Sequence, residues 1–355
     1  MQQTSYDPHQ FVHVEDIKIK QETELLLQEA TKVYKENFDG KTWYGRCIFI
    51  SWYCSLADCT FCFRSTNAHK ERHPETSRRG MGSMLLEALF CRLFNWRIEF
   101  ITGGYGIMQF PDMLEIVKSI STVYGEKIWL NIGVIAPAHL KELKPYVKGV
   151  YASLETVTPK LHDYVCPSKP IKPYEMMFDK LDGFKKSIAI IVGLGDTIED
   201  IKYLFDFIEK HQVDRITLYA LKPVRGTEYT HGPSVEEYIT WIAKLRIKFP
   251  KLQIVAGTNL RRCEDTGFVI RAGANAITKF PATKQFATKK AKLLKQLIEN
   301  QNRKFISNFT ELPEIDWNKE INSLDIKDEY KQEMLEKLPP YLKRFQNPVD
   351  KDKAI

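Results

Sequence analysis

Eight short apolar runs, separated by amphipathic stretches and mostly about 25 to 40 residues apart, leave this chain of 355 residues few architectures to fold into. The runs are 47–52, 98–102, 128–134, 149–154, 188–194, 215–221, 252–256 and 274–278. Strands that bury both faces read as such continuous apolar runs, which is the pattern of a parallel sheet. The stretches between and after them predict helices over 84–94, 113–123, 137–143, 174–184, 198–210, 235–248, 266–271 and 289–300. Eight strands with eight crossovers fit a (β/α)8 TIM-type barrel; an open doubly wound sheet is the alternative.

Two flanks complete the expected organisation. Residues 14–37 predict a leading helix, with Leu25, Leu26, Leu27, Ala30, Val33 and Tyr34 near helical spacing. The charged tail after 309 carries Leu324, Tyr330, Met334, Leu335, Leu338, Tyr341 and Leu342, a pattern for helices packed on the barrel exterior, with fraying from about 346. The expected division is an N-terminal helical extension over 1–40, the barrel over 41–308 and a C-terminal helical tail over 309–355.

Composition bounds the function. An apolar share of 43% is ample for a large core, and the net charge of +7 is spread among interspersed acidic residues. That spread disfavours a nucleic-acid footprint and suits small anionic molecules better. No apolar stretch reaches the roughly 18 residues of a membrane span, and the first 37 residues hold no apolar leader core. A soluble, reduced, cytoplasmic protein is expected.

Directly after the first run, Cys54, Cys59 and Cys62 fall within nine residues. So dense a loop can wrap three corners of an iron-sulfur cubane, each thiolate taking one iron. The missing fourth ligand leaves one iron open to a substrate or cofactor. A structural zinc site competes, with His69 or His73 as a further ligand. A disulfide framework suits oxidising compartments, and the odd total of seven cysteines weighs against it.

In a parallel barrel the active site lies at the carboxyl ends of the strands. The second run ends in Thr102-Gly103-Gly104-Tyr105-Gly106, a backbone that a ligand can approach closely or simply a tight turn. The fourth places Ser153 and Glu155 on one face, where they can meet an ammonium or a ribose, or pair with a barrel cation. Gly193 and Gly195 open the fifth strand end to a planar group, and Asp196 or Thr197 can cap the next helix. Lys222, Arg225, Arg261, Arg262 and Lys279 follow the sixth, seventh and eighth strands, where converging cations suit a carboxylate or phosphate.

With the cysteine loop at the first strand end and glycines at the second, the chain resembles the radical S-adenosylmethionine enzymes. That resemblance implies a 4Fe-4S cluster on Cys54, Cys59 and Cys62, its open iron chelated by the amino and carboxylate groups of S-adenosylmethionine. Phe61 matches the aromatic beside the adenine, and Gly103 and Gly104 match the start of the motif that receives the methionine ammonium. Tyr105 stands where an acidic residue is common.

The likeness is greatest to the biotin synthase group, which includes methylornithine synthase and the FeFe-hydrogenase maturase that cleaves no tyrosine. It rests on 191–196, 221–227 and 272–275 and spans about 45–285. A narrower likeness is to the archaeal radical enzyme associated with the iron-guanylylpyridinol cofactor of methanogen Fe-hydrogenase, which also has a stretched first cysteine gap. Here Ser55, Leu56, Ala57 and Asp58 fill a gap usually of three residues. One added residue reaches about 3.3 Å, which alters loop geometry and not cluster binding.

Sulfur insertion from a second cluster is disfavoured, because 128–134 and 188–194 contain no cysteine. No cysteine follows Cys263, unlike the tyrosine-cleaving maturase, and Cys47, Cys91, Cys166 and Cys263 read as small apolar or incidental thiols.

The resemblance implies reductive cleavage of S-adenosylmethionine to methionine and a 5'-deoxyadenosyl radical that takes hydrogen from a small, anionic substrate in cofactor biosynthesis. It assigns Gly103 and Gly104 to the methionine end, Ser153 and Glu155 to the ribose or carboxylate side, and Val192 with Phe61 to the adenine. Lys222, Arg225, Arg261, Arg262 and Lys279 are left for the substrate, and ferredoxin or flavodoxin for the electron. The rivals are a non-catalytic zinc or iron-sulfur scaffold and an electron carrier with a fully ligated cluster.

Overall fold

The structure is a computed structural model that describes residues 19–349. Eight parallel strands form its centre: β1 (Lys41–Phe49), β2 (Arg97–Thr102), β3 (Ile128–Asn131), β4 (Val147–Glu155), β5 (Lys185–Val192), β6 (Arg215–Ala220), β7 (Gln253–Gly257) and β8 (Ala276–Thr278). They pair in sequence order, and β1 pairs with both β2 and β8. That double pairing closes a (β/α)8 barrel and removes the open-sheet alternative. A two-residue β9 (Lys304–Phe305) adds to the start of β1.

Strand alternation sorts the residues. Ile188, Ile190 and Val192 of β5 face outward into the core shared with the helices, while Ala189 and Ile191 belong to the interior clusters. Inside the barrel stand Cys47, Phe100, Trp129 and Tyr151, with the Arg215 guanidinium 3.8 Å from the Trp129 ring centre. The register of β1 against β2 skips Glu99, a bulge that leaves Glu99 fully buried beside Phe100. Its carboxylate accepts hydrogen bonds from Thr217 Oγ1 (2.9 Å), Tyr219 Oη (3.0 Å), Cys47 Sγ (3.0 Å) and Thr278 Oγ1. Cys47 is therefore a polar member of the barrel floor, a correction to its reading as a merely apolar thiol.

The expected helices over 137–143, 235–248 and 266–271 form with those bounds. The expected 174–184 is replaced by Lys172–Phe178, and the crossover after β4 also carries Pro159–Val165. Gln21–Asn37 is the leading helix and buries Thr23, Leu27, Ala30 and Tyr34, spaced along one face. The part of that expectation over 14–18 lies outside the described residues. In the tail, Trp317–Asn322 and Asp328–Gln346 pack on Met81–Leu93, with Phe90 about equally far from Tyr341 and Phe345 (5.2 Å each between ring centres). Residues 350–355, within the expected fraying, also lie outside. Among the described residues no helix is long and apolar enough to cross a membrane.

Candidate active site

The carboxyl ends of the strands surround a cavity of about 700 Å³. Cys54, Cys59 and Cys62 line it, half-buried and free of disulfides. Their loop is stitched to the barrel at several points. Ile50 N donates to Thr102 O (2.7 Å), Ser55 N to Tyr105 O (3.0 Å) and Tyr105 N to Cys54 Sγ (3.4 Å). On the far side Thr60 N donates to Val165 O (3.0 Å).

Gly104 makes the first set of ties possible. A Cβ there would lie 2.1 Å from Tyr53 O and 2.5 Å from Cys54 Cβ, so the second strand end touches the cysteine loop through bare backbone. Gly103 is less constrained, since its Cβ would meet the tip of Ile107 at 2.4 Å.

The Val165 tie brings a fourth thiol to the loop. Cys166, fully buried, hydrogen-bonds Cys59. That bond holds the Cys59 thiol below its ordinary pKa against the opposing effect of burial, with help from the Lys169 ammonium. The same contact, then burial, pushes the Cys166 thiol well above its ordinary pKa. Burial raises Cys62. Cys166 was expected to be incidental; it stands beside the ligand loop.

At the end of β4, Asn131 Nδ2 donates to Ser153 Oγ (3.0 Å), and Glu155 accepts from Lys169 Nζ at 2.9 Å. All four line the cavity. Burial alone would lower the Lys169 pKa, but Glu155, Cys166 and Cys59 outweigh it and hold the ammonium charged. Replacing Lys169 with Met leaves a buried carboxylate unpaired and is expected to cost about 3–5 kcal/mol in urea unfolding. Adding Glu155→Gln should recover much of that loss, and a cycle without recovery would show that the pair does not act as a unit.

Of the expected site residues, Cys54, Cys59, Phe61, Cys62, Gly103, Gly104, Ser153, Glu155, Lys222 and Lys279 line the cavity together. Val192 does not: it is buried in the outer core, and Ile191 takes the lining position because β5 alternates. Arg262 is also displaced, buried and ion-paired with Asp265 (2.6 Å) while donating to Pro233 O (2.7 Å). Arg225 is exposed outside the cavity, and Arg261 is likewise not among its lining residues but lies near enough to Lys222 for its charge, after burial, to lower the lysine's pKa. Gly193 and Gly195 lie against Pro233 and Leu161 and not against the cavity. Thr197 caps the turn Ile198–Asp200, while Asp196 accepts from Thr156 Oγ1 at 2.7 Å. Lys169 and Tyr174 are lining residues that the sequence reading missed.

Comparison with known proteins places this geometry. The model of the radical SAM superfamily matches residues 48–208, which contain the cysteine loop and the first five strand ends. An uncharacterized protein of Methanocaldococcus jannaschii is 34% identical over 301 residues, covering 82% of this chain and 83% of that one. The chain belongs to the radical SAM superfamily.

Within it the relatives are of the biotin synthase-like group. The biotin synthase of Clostridium tetani is 27% identical over 192 residues, 51% of this chain and 58% of that enzyme. The crystal structure of methylornithine synthase shares the fold, with a TM-score of 0.67 at 20% identity over 82% of this chain and 91% of that one. This radical SAM enzyme uses a 4Fe-4S cluster and S-adenosylmethionine, and its residues fit both.

The soft donors are three thiols lining one cavity, one of them already accepting an N–H hydrogen bond, a type of contact that tunes iron-sulfur clusters. Among the described residues no three His, Cys, Asp or Glu side chains converge as a single zinc ion requires. A cubane gives each thiolate its own iron and needs no such convergence. The rest of the cavity leaves room for a second ligand beside the cysteines.

Proposed function

We propose that the chain uses S-adenosylmethionine to abstract hydrogen from a small anionic substrate in cofactor biosynthesis. The observation that carries this reading is one cavity shared by three cysteines, the bare Gly103–Gly104 strand end and three lysines. When bound, the reduced cluster and S-adenosylmethionine supply methionine and a 5'-deoxyadenosyl radical. Cys54, Cys59 and Cys62 hold three irons and leave one corner for the cofactor. Gly103 and Gly104 admit its methionine end, Ser153 and Glu155 face its ribose or carboxylate side, and Phe61 with Ile191 flank the adenine. The closed barrel keeps water and stray C–H bonds from the reacting carbon, which is the protein's share of such chemistry. Ferredoxin or flavodoxin supplies the electron.

The finer assignment, to the iron-guanylylpyridinol cofactor of Fe-hydrogenase, is supported by the stretched gap between Cys54 and Cys59 together with the strand-end motifs. Anaerobically reconstituted protein, reduced with dithionite, is expected to change its electron paramagnetic spectrum when S-adenosylmethionine is added and to form 5'-deoxyadenosine. Deuterium from a labelled precursor of that cofactor should appear in the 5'-deoxyadenosine. A cluster indifferent to S-adenosylmethionine would instead mark an electron carrier or a scaffold.

A further inference from the structure

Lys279 departs from ordinary strand-end behaviour. It follows β8 directly and adopts the left-handed backbone region (φ +68°), uncommon for a residue with a side chain. Its ammonium stands over three rings from three strands: 4.8 Å from the centre of Tyr219, 5.4 Å from Phe49 and 5.8 Å from Phe100. All four residues line the cavity.

Two bland readings account poorly for this placement. As counter-ion of the buried Glu99, Lys279 would approach its carboxylate, yet that carboxylate is filled by hydroxyl and thiol donors. A carboxylate has about four acceptor sites, so nothing further is required of Lys279. Lys279 is exposed and opens onto the cavity, and an exposed cation on an aromatic face gains only about 0.5–1 kcal/mol, so the rings alone do not account for its placement. Among the described residues it forms no ion pair. Two of the other lining cations are engaged elsewhere, Lys169 with Glu155 and Arg64 with Ser51 O (3.0 Å); Lys222 is also without an ion pair among the described residues, but it lies near the like charge of Arg261 and has no ring beneath its ammonium.

Building on the function proposed above, we infer that Lys279 binds the carboxylate of a substrate whose apolar body packs on Phe49, Phe100 and Tyr219. A phosphate is the poorer guest. Its dianion and three terminal oxygens call for several donors, whereas here one ammonium is surrounded by rings, and the Tyr219 hydroxyl already donates to Glu99. A carboxylate needs one such charge, and the three rings favour a hydrocarbon or aryl body beside it.

The test uses the anaerobically reconstituted holoenzyme with S-adenosylmethionine and three probes followed by fluorine NMR: 4-fluorobenzoate, 4-fluorobenzyl alcohol and 4-fluorophenyl phosphate. The benzoate is expected to bind about 10-fold more tightly than the alcohol, the worth of one charged hydrogen bond. Lys279→Met should abolish that preference, and Lys279→Arg should restore part of it. Iron content and visible absorption of each variant report that the cluster loop is intact. Equal affinity for benzoate and alcohol, tighter binding of the phosphate, or a preference that survives Lys279→Met would each overturn the assignment. A cluster that ignores S-adenosylmethionine would overturn the radical reading instead, through a spectrum that does not depend on these probes.

Discussion

Alanine at Cys59 is expected to leave the protein without a stable cubane and with no 5'-deoxyadenosine above background, while alanine at Cys166 should keep about four irons per chain and an unchanged response to S-adenosylmethionine. The contrast matters because the two thiols hydrogen-bond each other, so proximity alone does not say which is the ligand. Two features separate them. Cys59 lines the cavity and Cys166 does not. Cys166 is fully buried behind it, against Val165, Ile191 and Leu194. Iron and acid-labile sulfide analysis with spin quantification checks the prediction. Loss of the cubane in Cys166→Ala, or a vacancy filled by Cys166 in the native protein, would remove the open iron and with it the radical chemistry.

The barrel was legible because its strands bury both faces and so announce themselves as apolar runs. The limits of that signal lie at polar positions. β1 begins at Lys41, six residues before the apolar run at 47, because Thr42 and Arg46 sit within it; Arg46 is neutralised by Glu87 (2.9 Å), a partner distant in sequence. Glu99 likewise looks out of place in an apolar strand until the bulge turns it onto the barrel floor. Helices with a proline or serine at their start, such as Pro137–Leu143 and Val235–Lys248, were read to the residue, since those signals are local. The same signal was passed over at Pro159–Val165 and Lys172–Phe178, which are as short as Pro137–Leu143 and also carry a proline at their start, and the roles of the residues they frame, Cys166 and Lys169, were missed with them.

In the cavity the sequence located residue types better than directions. Val192 and Ile191 are adjacent and equally apolar, but only strand parity says which faces inward, and Ala189 marks that parity. Arg262 carries the same charge as Lys279 and follows a neighbouring strand. Its pairing with Asp265, three residues on, was visible as an i, i+3 spacing and takes it out of the site.

Gly104→Ala carries the other large expected effect. A methyl group there meets backbone, the Tyr53 carbonyl oxygen at 2.1 Å and Cys54 Cα at 2.6 Å, so relief requires moving the cysteine loop as a body. That movement breaks the Tyr105 N–H to Cys54 contact and shifts one of three sulfurs by a large fraction of an ångström or more. Misplacement on the order of 1 Å costs about 100-fold where geometry governs the reaction, and 5'-deoxyadenosine formation is expected to fall at least that far. Gly103→Ala is the control in kind. Its methyl group meets the flexible end of Ile107, which can rotate away, so a smaller loss is expected although the two glycines are adjacent. Global stability should change little in either variant, because the strand hydrogen bonds of β2 end at Thr102. Cluster content, melting temperature and the rate of 5'-deoxyadenosine formation, measured together, separate a displaced loop from a damaged barrel. Full cluster loading and wild-type cleavage in Gly104→Ala would mean that the loop does not rest on the second strand end.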